Sequence, residues 1–132
     1  MKQRHFITTL CLLMLFVASA WAQKNTLEIP DVTVAQGKSI SLPVNMENSA
    51  DIVAVQFTMT TADGVTFSTE TARTTERADG HSLTMRPIGV NKYMVMIFSS
   101  QNRAFIGRTG SIMTVVLNTS SSLKEGDKIP VT

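Results

Sequence analysis

The chain has 132 residues, with 12 lysines and arginines against 10 aspartates and glutamates, and its only cysteine is Cys11. Two of the basic residues, Lys2 and Arg4, lie among the first 22 residues, so the rest of the chain is formally neutral. A neutral chain offers no excess of positive charge to neutralise phosphates, which disfavours nucleic-acid binding. Because Cys11 also lies in this first part, the remainder has no thiol for a disulfide or a thiolate metal site.

The first 22 residues, the leader, have the features of a cleaved secretory signal. Residues 10–18 are an unbroken apolar run of 9 residues, preceded by basic residues. Small residues follow with the spacing that signal peptidase requires, so cleavage is predicted between Ala22 and Gln23, with Ala20 as the alternative site. The run is too short to cross a bilayer, which takes about 20 residues. We therefore expect residues 23–132 to be secreted, outside the cell or at its surface, with no membrane insertion after cleavage.

After the leader, apolar residues recur at every second position, which indicates β-strands buried on one face. This alternation predicts strands at residues 39–46, 53–59, 82–86 and 113–117. Residues 93–98 are apolar throughout, as expected of a strand covered on both faces. Turn signals separate these runs, and many short strands with regular turns are typical of an antiparallel all-β sandwich or barrel.

Two segments fit this pattern less simply. Pro43 lies within a predicted strand but cannot donate to a strand ladder, which favours an edge or a bulge at that position. Residues 68–81 are polar throughout and are interpreted as a solvated connection, with a short helical turn as the alternative.

Residues suited to catalysis are few and scattered. His81 is the only histidine after the leader, and its position in a turn favours a solvated role. No nucleophilic-serine motif surrounds Ser99 or Ser100, and no phosphate-binding glycine motif occurs. The aspartates stand singly, mainly in turns, at positions 31, 51, 63, 79 and 127. We therefore expect no enzyme and no cofactor, with a calcium ion held between two loops as the open alternative. Asn118-Thr119-Ser120 matches the short N-glycosylation pattern.

Five stretches, in their order along the chain, resemble the strands of cohesin domains. Ser39–Asn45 resembles the family's V-x-V-P-V strand, Ala54–Met59 its A-x-F-x-F strand and Tyr93–Ser99 its V-x-F-L-F-A strand. Gly110–Leu117 resembles the G-x-[IL]-x-x-[IV]-x-[FV] strand, and Leu123–Val131 resembles the link that follows it. The resemblance spans roughly residues 27–132. It departs from the family at Gln56, where the "F-D-F" variant of the motif has an aspartate.

The resemblance implies a nine-stranded jelly-roll sandwich, the fold that cohesins share with carbohydrate-binding modules of the cellulose-binding type. Cohesins bind dockerin modules with one sheet face and so assemble extracellular polysaccharide-degrading complexes. It therefore implies a secreted, non-catalytic module that binds a dockerin-like or other protein partner. A carbohydrate-binding module on the same fold and a structural spacer of a large surface protein stay open as alternatives. The only tryptophan lies in the leader and is lost on cleavage, and Phe57 and Phe98 are interpreted as core residues. Because few exposed aromatic rings remain, a protein is favoured over a polysaccharide as the binding partner.

The resemblance also bears on the end of the sequence. The chain stops at residues 129–132, where cohesins continue into their last strands. Without a final strand to pair with, residues 26–34 would present unpaired backbone N–H and C=O groups. We therefore expect the sequence to be the N-terminal part of a longer secreted protein, with the last strands of the sandwich missing.

Two predicted strands carry a candidate partner-binding face. In residues 52–60 the alternation turns Val53, Val55, Phe57 and Met59 toward the core, and the residues between them toward the opposite face. Residues 93–98 form two alternating sets, the odd-numbered residues that begin with Tyr93 and the even-numbered residues that begin with Met94. One of these two sets must lie outside the core. An exposed apolar patch usually marks an interface, and methionine suits an adaptable contact. The candidate residues are Ile52, Ala54, Gln56, Thr58, Tyr93, Met94 and Met96.

Overall fold

The computed structural model describes residues 24–124, 126 and 131. The predicted leader with its cleavage site, and most of the final segment with its predicted truncation, lie outside the described residues. Within them the chain forms seven strands and one short 3-10 helix, Glu76–Ala78. The strands are β1 (Asn25–Glu28), β2 (Ser39–Asn48), β3 (Ala54–Thr60), β4 (Val65–Thr74), β5 (Ser82–Gly89), β6 (Lys92–Phe98) and β7 (Ser111–Thr119). No helix in this described part is long and apolar enough to cross a membrane.

The strands form two antiparallel sheets that pack as a sandwich. One sheet has the order β1-β2-β7-β4 and the other has the order β3-β6-β5. The core between them is built from the alternating apolar residues, and both sheets contribute fully buried side chains. Full burial of a large apolar side chain in this core contributes about 1.5–3 kcal/mol to the free energy of unfolding. The all-β fold predicted from period-two alternation is confirmed.

Pro43 lies in β2, which has a neighbour on each side. It is opposite Thr114 of β7, and the register shifts one residue further on, between Val44 and Asn45. On the other side, β1 pairs only with residues 45–48 of β2. At Pro43 the strand is therefore locally an edge next to a bulge, which agrees with the prediction for this residue.

The polar segment at residues 68–81 is not the solvated connection that its composition predicts. Its first half belongs to β4, which pairs with β7 on both sides of an irregularity between Ser68 and Arg73. There the Thr71 hydroxyl donates to the Ser68 carbonyl at 2.6 Å and accepts the Val116 N–H at 2.9 Å. A side-chain oxygen therefore takes the place of a backbone carbonyl as the acceptor for Val116. Because the irregularity interrupts the alternation of an edge strand, no period of two is visible in the sequence.

The 3-10 helix brings Arg77 to the point where β2 and the segment before β7 meet. Its guanidinium uses all five of its N–H donors. The acceptors are the carbonyl oxygens of Met46, Ile106, Gly107 and Gly110 and the side-chain oxygen of Asn48, at 2.6–3.1 Å. Burial lowers the pKa of Arg77 below its ordinary value, but arginine stays charged at physiological pH.

Candidate functional site

The three-stranded sheet has one face toward the core and the other toward solvent. The register of β3, β6 and β5 aligns their outward residues in three rows across the strands. The rows are Ala54–Phe98–Ser82, Gln56–Met96–Thr84 and Thr58–Met94–Arg86. We call the surface formed by these nine residues the outer face. It has an apolar stripe along β6 with small or polar residues on either side.

The apolar stripe is accessible. Met94 and Met96 are half-buried, and 37% of Phe98 is exposed. Gln56 and Thr58 on the neighbouring strand are exposed, and the Gln56 amide nitrogen lies 3.7 Å from the Met94 sulfur. The stripe is therefore a shallow apolar surface with hydrogen-bonding groups at its margin, a composition suited to contact with another macromolecule.

The four-stranded sheet has a different outward surface. Its outward residues along β2, β7 and β4 include Ser41, Thr114, Thr66 and Ser68, which carry hydroxyl groups. Val116 and Pro43 are the apolar exceptions, and both are half-buried. Within the described part of the chain, only the three-stranded sheet therefore combines methionines and an exposed aromatic ring on one surface.

Charge is distributed unevenly over the outer face. Arg86 lies in the same row as Met94, and Lys92 lies opposite Thr60 in the next position along the sheet. Both basic residues are exposed. None of the nine residues of the outer face is acidic, so the surface has a basic end and an otherwise neutral remainder.

Tyr93 does not belong to the candidate face. It is 9% exposed and lies in the core, where its ring meets Phe67 edge-on at a centroid distance of 5.2 Å. Its hydroxyl accepts the backbone N–H of Phe67 at 3.3 Å, so it links the two sheets. The sequence left two sets of β6 residues open, and the structure assigns the set of Tyr93, Val95 and Ile97 to the core.

Ile52 and Val53 are also placed opposite to prediction. Ile52 packs against the core cluster, whereas 38% of Val53 is exposed. Both residues precede β3, which begins at Ala54, so the alternation of the strand does not extend to them. Instead the Ile52 carbonyl accepts the N–H of the buried Phe105 at 2.8 Å, which holds Ile52 against the core.

Four residues of the outer face were not among the predicted candidates: Phe98 on β6 and Ser82, Thr84 and Arg86 on β5. Phe98 was interpreted as a core residue from its strand position, although the set of β6 residues that contains it was left open as the outer set. In the structure it shares its face with Met94 and Met96. The available signal was parity, since residues two apart in a strand lie on the same face. Of the predicted candidates, the structure brings together Ala54, Gln56, Thr58, Met94 and Met96.

Other residues considered in the sequence have structural roles. His81 is not simply solvated, because its ring stacks on Phe105 at a centroid distance of 4.3 Å. Asn118 of the glycosylation pattern lies within β7, where its amide donates to Ser68 at 2.7 Å and accepts the Ser39 hydroxyl at 2.5 Å. Among residues 24–124, 126 and 131, no three His, Cys, Asp or Glu residues are grouped so that they could hold a metal ion.

Comparison with solved structures identifies this sandwich. The chain matches the sixth cohesin of scaffoldin B from Acetivibrio cellulolyticus, solved in complex with a Cel5 dockerin, with a TM-score of 0.69. The identity is 21%, and the match covers 82% of this chain and 79% of the other. The chain has the cohesin fold.

Two further structures extend the comparison. The cohesin fold of this chain matches a type I cohesin–dockerin complex from Clostridium thermocellum with a TM-score of 0.71 at 17% identity, over 83% of this chain and 80% of the other. It also matches a non-cellulosomal cohesin from the archaeon Archaeoglobus fulgidus with a TM-score of 0.63 at 18% identity, over 83% and 74% of the two chains. No protein-family model matches the sequence, and no curated protein matches it either. The similarity to cohesins is therefore one of fold.

Proposed function

We propose that this protein is a secreted, non-catalytic binding module that docks a dockerin-type protein module on the outer face of its three-stranded sheet. The observation that carries the proposal is the accessible stripe of Met94, Met96 and Phe98 on a sheet that is otherwise small and polar outside. The exposed part of these side chains adds nothing to the stability of the free protein, whereas a partner can bury it. Two of the similar cohesins were solved with dockerins bound, which supports this class of partner.

The chemistry of the outer face favours a protein over a polysaccharide. Sugar rings bind by stacking on exposed aromatic side chains, and Phe98 is the only aromatic residue that is exposed in the described part of the chain. Methionine side chains are flexible and polarizable, so they can adapt to the side chains of a protein partner. The flanking residues Gln56 and Thr84 can supply hydrogen bonds at the margin of the contact.

The test places bulky charges beside the stripe. The Gln56→Arg/Thr58→Arg double variant should lose at least about 2 kcal/mol of binding free energy, because two unpaired charges would have to be desolvated in the contact. Binding is measured by calorimetry against a panel of purified dockerin modules that includes the Cel5 dockerin. Both side chains are exposed, so the melting temperature should stay within about 5 °C of wild type.

The matched control is Ser41→Arg, an exposed residue on the outward surface of the four-stranded sheet. It adds one of the two charges of the double variant to a β-strand and should leave both binding and stability unchanged. Unchanged binding by the double variant would move the docking surface elsewhere. A wild-type protein that bound none of the dockerins would contradict the proposed class of partner.

Secretion is part of this proposal and has its own test. Expressed in a bacterial host, the protein should be exported and its N-terminal sequence should begin at Gln23, because the small residues before that bond fit signal peptidase. An Ala20→Arg/Ala22→Arg variant should retain the leader, since the protease does not accept large residues at these positions. Recovery of the uncleaved wild-type chain in the cytoplasm would contradict the proposal.

A further inference from the structure

The hairpin between β5 and β6 carries apolar side chains into solvent at the basic end of the outer face. Val90 is 90% exposed and Ile88 is 47% exposed. Both lie at or beside the turn that connects the two strands, between Arg86 and Lys92. A nearly fully exposed valine next to an exposed isoleucine contributes little to folding stability, so a contact partner is the simplest reason for this arrangement.

The turn of this hairpin is held in a fixed position. Asn91 has a positive φ of 54°, and its carbonyl accepts the N–H of Thr61 at 2.8 Å. Its side-chain nitrogen donates to Oδ1 of Asp63 at 2.6 Å. These two bonds fix the turn to the end of β3 and the turn that follows it. A contact element that is already ordered loses little conformational entropy on binding, which favours affinity.

The two basic residues beside the turn have no ion-pair partner in the described part of the chain. Neither Arg86 nor Lys92 forms an ion pair within residues 24–124, 126 and 131. Asp63, the acidic residue held beside the turn by the hydrogen bond from Asn91, pairs with neither of them. Two exposed cations without acidic partners therefore flank the apolar turn.

We propose that the β5–β6 hairpin is a second contact element of the docking surface, and that it selects a partner with acidic residues around an apolar pocket for Val90. This inference rests on the proposed function and specifies its partner. Arg86 shares a row with Met94 and Thr58, so the hairpin continues the outer face directly. Charge at the rim of an interface sets the orientation and specificity of the partner more than the total affinity.

A reversal of charge tests the inference. A displayed library of dockerin modules, built on the Cel5 dockerin and randomised at its surface, is selected in parallel on the wild-type protein and on Arg86→Glu/Lys92→Glu. Clones selected on the wild type should be enriched in Asp and Glu and should bind the reversed variant at least about tenfold more weakly, more so at low salt. Clones selected on the reversed variant should carry Lys and Arg at the same positions.

Two further variants separate this inference from the proposed function. Gln56→Arg/Thr58→Arg should abolish binding of both sets of clones, because it disrupts the contact they share. Val90→Ser should weaken both sets about tenfold at an unchanged melting temperature, since Val90 is exposed in the free protein.

Each other outcome counts against a defined part of the proposal. The two selections could yield clones of the same charge composition that Gln56→Arg/Thr58→Arg still prevents from binding. That result would overturn the role of the hairpin and leave the proposed function intact. Failure to select any clone on either bait would overturn both. If the wild-type protein sedimented with phosphatidylglycerol vesicles and Val90→Ser abolished this sedimentation, the hairpin would bind a lipid surface. That result would overturn the hairpin proposal.

Discussion

Replacing Arg77 with alanine should lower the free energy of unfolding by about 2–4 kcal/mol, because several backbone carbonyls lose their donor at once. The guanidinium joins the 3-10 helix to β2 and to the segment that precedes β7. That segment also pairs with β2 through the N–H groups of Met46 and Asn48, which donate to Gly110 and Arg108. Loss of Arg77 therefore loosens one whole end of the four-stranded sheet. Chemical denaturation measures the effect, and the melting temperature should fall by roughly 10–20 °C.

Two comparisons give this prediction its controls. Arg108→Ala removes a neighbouring arginine whose ion pair with Asp51 is 3.0 Å long but exposed, and it should cost less than about 0.5 kcal/mol. Arg77→Lys keeps the charge but cannot reproduce five donors in a planar fork, so it should recover less than half of the loss. Equal losses for Arg77→Ala and Arg108→Ala would contradict a structural role for the five hydrogen bonds.

Ile97→Ala should cost about 2–5 kcal/mol, since Ile97 is fully buried between the sheets and its truncation leaves a cavity. The adjacent Phe98→Ala removes a larger side chain but should cost about 1 kcal/mol or less, because Phe98 lies on the outer face. Denaturant melts of the two variants compare neighbouring positions on opposite faces of β6. Similar large losses for both variants would mean that the outer face is itself covered in the folded protein.

The contrast between these neighbours shows how far the sequence could predict the fold. In β2 one set of alternating residues is apolar and the other mostly polar, so the buried face could be predicted without a structure. In β6 both sets are apolar, and only the position of its neighbours decides that Ile97 faces inward. The candidate face was therefore predicted on β3, with the exception of Ile52, but left open on β6.

Other features had no local signal at all. The acceptors of Arg77 lie 29–33 residues away along the chain, so nothing near Arg77 in the sequence indicates its role. The irregularity in β4 depends on a hydrogen bond from the N–H of Val116 to the Thr71 hydroxyl, 45 residues away, and it hides the strand among polar residues. The proposed role of Val90 also had no signal in the sequence, because its exposure and the hydrogen bonds that hold Asn91 are visible only in the folded chain.

The methionines of the outer face would make the proposed docking sensitive to oxidants in the surroundings. Oxidation converts the thioether of methionine into a polar sulfoxide, and exposed methionines react before buried ones. Met94 and Met96 are half-buried at the surface, whereas Met46, Met59 and Met113 are at most 2% exposed. An oxidant would therefore make the apolar stripe polar while the core stays intact. The protein would remain folded but lose its attraction for an apolar partner surface, and enzymatic reduction of the sulfoxides would restore it.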